Sequence, residues 1–187
     1  MGNMKTHFNL DDKSYQKLKL FNRILISYND FRQCHETASF LLNENYYDHF
    51  PEQNHQLVIS LNTAAIVSYA RPFLESKGEL AHNRLPGKVL RILNAEEKEV
   101  HDIVIKSRNT IMAHSDADEN LAIPLIMDLG HRKVIVPKNA SVYAAPLKPV
   151  TMQVLCDMSY KLQEHCFELR MEMEPDMFDI LPIAEYE

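Results

Sequence analysis

Apolar residues recur every three or four positions along most of this chain. Over residues 12–43 the stripe is Leu18, Phe21, Leu25, Tyr28 and Phe31, with Leu20 and Ile24 beside it. That period predicts one long amphipathic helix. Asp11 or Asp12 can cap its start by accepting from the free N–H groups of the first turn. The stretch "NENYYDHFPEQ" interrupts the pattern, and Pro51 suits the first turn of a second helix over 51–77. Pro72 lies inside that run and lacks the N–H a helix interior needs, which predicts a kink or break near Tyr69–Ala70.

Residues 78–93 read as a loop with one short helix at "GKVLRIL". "NAEE" at 94–97 is an Asn-x-x-Glu capping box and predicts a third helix over 95–114. Its stripe Val100, Ile103, Val104, Ser107 and Ile111 is expected to face the core. The period then changes. "LAIPLIMDLGHRKVIVPKNASVYAAPL" is rich in β-branched residues, and "DLGHR" between apolar runs reads as a hairpin turn, so two or three short strands are expected at about 121–145. A last helix over about 148–171 carries Met152, Leu155, Met158, Leu162, Cys166 and Leu169 on one face. The expected fold is mainly all-α: a four-helix up-down bundle in a single helical domain, 1–187, with a small β-hairpin insertion before the last helix.

Composition narrows the class. The chain has 187 residues, enough for one domain with a real core, and 45% of them are hydrophobic. Four glycines and no tryptophan speak for long helices over a turn-rich β fold. The net charge of −6 is local: the stretch 171–187, an acidic C-terminal tail from about 172, holds Glu172, Glu174, Asp176, Asp179, Glu185 and Glu187 with no Lys or Arg. The remainder is close to neutral, which argues against tight non-specific binding of DNA through many phosphate contacts. Three cysteines are too few for a disulfide framework and suggest free thiols in a reducing compartment. No apolar run approaches a membrane span, so a cytoplasmic protein with no membrane partner is expected.

The candidate chemistry sits in "KSRNTIMAHSD", 106–116. Arg108, Asn109 and His114 are threaded through apolar residues there. Arginine offers a fixed fork of donors that matches a phosphate, and histidine gives or takes a proton near neutral pH. RNA carries its own nucleophile in the 2′-hydroxyl. A guanidinium and an imidazole therefore suffice for metal-free RNA cleavage, with Asn109 orienting His114 or holding a phosphate oxygen. On a straight helix Arg108 and His114 diverge by roughly 120°. Either the helix ends near Ala113 and His114 folds back, or the two groups combine across neighbouring chains.

These residues resemble the signature of HEPN-domain proteins: an Arg, a polar residue beside it, and a His a few positions on. Here five residues separate Arg108 from His114. The helix carrying "NTAAIVSYARPF", with Arg71 inside it, is similar to the companion helix of bacterial members. The resemblance covers about residues 55–116. It implies a HEPN-like bundle, a metal-independent endoribonuclease of a toxin–antitoxin or phage-defence system, a homodimer with two facing motifs, RNA as substrate, a possible cognate antitoxin protein, and no cofactor.

Other readings stand beside it. Arg108 could pair with an acid such as Asp116, and His114 could suit a helix C-terminus. The bundle could be a non-catalytic module that binds RNA or protein. Arg71 is either a buried ion-pair partner or a lining residue of the same cleft. Lys77, His82, Arg84, Lys88 and Arg91 form the most basic stretch, and Arg71, Arg84, Lys88 and Arg91 are candidates for an RNA-backbone contact. His101 and Asp102 in "VHDI" raise an HD-type metal phosphohydrolase, although adjacent helical residues point about 100° apart. No Cys-x-x-Cys spacing, Gly-rich phosphate loop or nucleophile elbow is present, so no metal site is assigned.

Overall fold

The computed structural model describes residues 10–44, 46–47, 55–113, 124–137 and 146–181. Four α-helices dominate: α1 (Asp12–Asn43), α2 (His55–Ala70), α3 (Ala95–Ala113) and α4 (Pro149–Phe178). Short 3₁₀ segments follow α2 (Arg71–Phe73) and precede α3 (Gly87–Ile92). One antiparallel hairpin, β1 (Pro124–Asp128) and β2 (Lys133–Pro137), lies between α3 and α4. α1 packs most extensively on α4 and then on α2, while α3 packs on α2 and α4. Among the described residues no helix is long and apolar enough to cross a membrane.

The helix boundaries follow from local chemistry. Asp11 caps α1, its carboxylate accepting from the Ser14 N–H at 2.7 Å. At α3 the capping box closes both ways: Asn94 Oδ1 accepts from the Glu97 N–H at 2.9 Å, and Glu97 Oε2 accepts from the Asn94 N–H at 2.7 Å. Glu97 also accepts from Lys161 at 2.9 Å, which ties the start of α3 to α4. Burial opposes the Glu97 charge, but the Asn94 N–H and the Lys161 ammonium hold its carboxyl below the usual range.

α2 stops where Pro72 requires it. Its α-helical run ends at Ala70 and tightens into the 3₁₀ turn Arg71–Phe73, so the expected continuation to residue 77 does not form. At the other end α4 outruns its expected limit of 171 and continues to Phe178 through Pro175. Pro175 donates no hydrogen bond to the preceding turn. Tertiary contacts override that cost: Met177 is buried against Leu18 and Phe21 of α1, and Lys17 reaches Asp176 at 2.7 Å. The first part of the acidic stretch is thus helix packed on α1.

The main core cluster is shared by the four helices, beside the smaller one of Leu18, Phe21 and Met177. Phe31, Tyr69, Met152, Leu155, Met158 and Leu162 lie at its centre, with Val100 and Val104 of α3. Ile103, expected in this core, is exposed, because three residues from Val100 it falls outside the narrow face α3 buries. Cys34, Cys156 and Cys166 are all buried free thiols along the α1–α4 contact. Burial pushes Cys34 and Cys166 up to about 12. The hairpin turn matches its sequence signal: Gly130 adopts φ +79°, and Asp128 accepts from its N–H at 2.8 Å.

Candidate functional site

Arg71 and Arg108 face a common cavity. Both line one open cleft of 560 Å³ between α1, the segment after α2, and α3. Their separation in sequence is bridged because α2 ends against the middle of α1 and α3 passes beside it. The cleft is also lined by Arg23 and Lys77 and by three acids, Asp30, Glu75 and Glu79.

The wall formed by residues 74–83 is fastened to α1. Arg23, a buried arginine, donates from Nε to the His82 carbonyl at 2.6 Å and from Nη2 to the Asn83 carbonyl at 3.1 Å and to the Ser76 hydroxyl. Asn22 donates to the Leu80 carbonyl at 2.8 Å, and the Tyr15 hydroxyl donates to the Glu79 carbonyl at 2.8 Å. These bonds satisfy carbonyls that no secondary structure pairs. Desolvation lowers the Arg23 pKa, and Asp30 opposes that shift.

Arg71 and Arg108 differ in what already holds them. Arg71 Nη1 lies 3.4 Å from Asp30 Oδ1 and 3.3 Å from Gln33 Oε1. Burial raises the Asp30 carboxyl, and the Arg71 guanidinium beside it pulls the other way. Arg108 donates to Asn109 Oδ1 at 3.3 Å and, among the described residues, meets no carboxylate within ion-pair distance. A guanidinium fork of this kind matches the geometry of a phosphate or carboxylate. Arg71 lines the cleft and pairs with Asp30, but it is exposed, so the buried ion pair posed for it does not form.

The remaining candidates separate. His114 and Asp116 lie outside the described residues. Arg84, Lys88 and Arg91 are exposed and do not line this cleft, whereas Lys77 does. His101 faces inward: the Tyr69 hydroxyl sits 2.9 Å from its Nδ1, and its ring meets Phe73 edge-on at 4.8 Å. Asp102 is exposed. Among the described residues no three His, Cys, Asp or Glu side chains converge in a metal-binding group.

Sequence reading passed over Arg23 and Asp30. A signal was present: Arg23, Ser27 and Asp30 follow one another at i, i+4, i+7, a buried polar stripe running beside the apolar one. Such a stripe on a helix implies polar partners from elsewhere in the chain, here the carbonyls of 76–83 and the Arg71 guanidinium.

His101 makes the fold pH-sensitive. Burial lowers its pKa from the ordinary 6.5, with Asp102 opposing. The unfolded chain then binds a proton that the folded chain refuses, so this contribution to stability is complete above pH 6.5 and is lost as pH falls below it. Melting temperature is expected to drop between about pH 7.5 and about pH 5, and His101→Gln should flatten that part of the profile. An unchanged slope would show that other groups set it.

No family model matches this chain, and the comparisons with curated proteins and with solved structures found no match.

Proposed function

We propose that the protein is a HEPN-like, metal-independent endoribonuclease acting as a homodimer, built on an up-down bundle of its four helices. The convergence of Arg108 and Arg71 on one open cleft carries this reading. Arg108 lies in the Arg–polar–x4–His arrangement, and among the described residues no acid lies within ion-pair distance of its guanidinium. Arg71 comes from the helix that resembles the companion helix of that family.

In this reading the RNA backbone enters beside Arg108. The 2′-hydroxyl attacks the adjacent phosphorus, its proton passes to His114, and the bond to the 5′-oxygen breaks. Arg108 stabilises the charge that builds on the non-bridging oxygens. Asn109 restrains the Arg108 fork. The 5′-oxygen needs a proton as it leaves, and in a dimer a second His114 supplies it. Arg71 and Lys77 hold flanking phosphates, while the Asp30 carboxylate fixes Arg71. Lys88, Arg84 and Arg91 extend the contact along the outside of the wall. The reading places the protein in the cytoplasm and makes a cognate antitoxin a possible partner.

The test is cleavage of total RNA by the full chain in EDTA. Cleavage that persists under chelation supports the proposal. Cleavage that stops on chelation and returns with a divalent cation assigns the chemistry to a metal centre instead. No cleavage of any RNA favours a non-catalytic binding module.

A further inference from the structure

We infer that the β1–β2 hairpin of one copy docks on the exposed face of α4 of a second copy, so that two chains exchange arms. The inference goes beyond the ribonuclease reading and stands without it. Two surfaces carry it, and each is left exposed among the described residues. On the hairpin, Ile126 and Ile135 are paired across the ladder and are 73% and 76% exposed. The neighbouring pairs Leu125–Val136 and Met127–Val134 project to the other side. Neither strand packs extensively on any helix. A two-stranded hairpin alone is marginal in water and needs a hydrophobic surface to stand on.

The second surface is on α4. Tyr160, Phe167, Met171 and Phe178 are all exposed, Phe178 at 75%. At 100° per residue they fall within about 20° of one line, a stripe of about 27 Å along the helix. Its inner edge rests on α1, where Tyr160 stacks near His35 at 5.2 Å and Phe167 near Tyr28 at 6.5 Å. The stripe is therefore a fixed platform. A five-residue strand spans about 17 Å, so the hairpin fits within its length.

Charge selects the occupant. The outer border of the stripe carries Glu164, Glu168 and Glu172, exposed on α4. Two such faces would repel one another, which disfavours an α4–α4 dimer. The hairpin carries His131, Arg132 and Lys133 in and beside its turn, against one acid, Asp128. It is the basic, apolar complement of the stripe. A hairpin-to-helix contact made once in each direction closes under a two-fold axis, as most homodimers do.

The test uses two full-length variants, each with one new thiol: Ile135→Cys and Phe167→Cys. The three native cysteines are buried and serve as the silent background. Mixed under mild oxidation, the two variants are expected to form a covalent heterodimer. Each alone should form at least tenfold less. Wild type is expected to be a dimer by light scattering, and Ile126→Glu/Ile135→Glu a monomer with unchanged helical circular dichroism. If that variant misfolds, Arg132→Glu/Lys133→Glu should weaken the dimer, and Glu164→Lys/Glu168→Lys added to it should restore it. A monomeric wild type, a dimer indifferent to these changes, or a cross-link that forms only within a doubly substituted chain overturns the inference. A monomeric wild type also removes the dimer that the ribonuclease reading uses, whereas a dimer indifferent to these changes sinks the hairpin contact alone; cleavage in EDTA tests the ribonuclease reading by itself.

Discussion

Arg108→Ala is expected to lower RNA cleavage about 10²–10³-fold, the loss typical of removing one preorganised donor that faces developing charge. Its stability should stay within about 0.5 kcal/mol of wild type. The two expectations belong together. Arg108 is half-buried and bonded at 3.3 Å to its neighbour Asn109, and no described carboxylate would be left alone by its removal. Arg71→Ala is a poorer probe, because it removes the ion-pair partner of the largely buried Asp30 and leaves Arg23 as the nearby cation, and a poorly compensated buried charge destabilises the fold by itself. His114→Ala removes the proposed proton-transfer group and should cost about 10²–10⁴-fold. Initial rates on one RNA, at concentrations matched by circular dichroism, measure both. If Arg108→Ala cleaves within threefold of wild type, Arg108 is not the charge-stabilising group and the proposed site is wrong.

The largest stability effect is expected at Tyr69. Tyr69→Ala should destabilise the protein by about 3–5 kcal/mol, the range for truncating a large core aromatic. Tyr69 is fully buried and joins three rings: Phe31 of α1 at 5.8 Å, Phe73 of the 3₁₀ turn at 5.5 Å, and His101 of α3 at 5.7 Å. It is the point where three of the helices meet, two residues before Arg71. Tyr69→Phe keeps the packing and removes only the hydroxyl at His101, so about 1 kcal/mol is expected. Chemical denaturation of the two variants separates packing from the hydrogen bond. Equal losses in both would mean that the hydroxyl, and not the ring, holds the junction.

The parts of the fold that could be read in advance are those where local chemistry and burial agree. The Asn94–Glu97 box starts α3, Pro72 ends α2, and the Met152–Cys166 face of α4 is buried as its period requires. The end of α4 was hidden because two signals conflict there. Pro175 and a run of acids argue for a stop, and only the presence of Leu18 and Phe21 opposite Met177 reverses that. The cleft was half legible. Arg108 and Arg71 stand out as polar residues in apolar runs. Arg23 and Asp30 sit in a helix that explains itself by its apolar stripe, and their partners are carbonyls of a loop with no regular pattern. Lys77 was noted with its basic neighbours, yet nothing in the spacing distinguishes it from Arg84, which lies outside the cleft.

The three buried thiols give the molecule a clock. Cys34, Cys156 and Cys166 sit along the seam of α1 and α4, and a thiol that is both covered and held protonated does not react with an alkylating reagent. Labelling can proceed only in the moments when the two long helices part. Its rate therefore counts those openings in the native protein, without denaturant and without any introduced reporter.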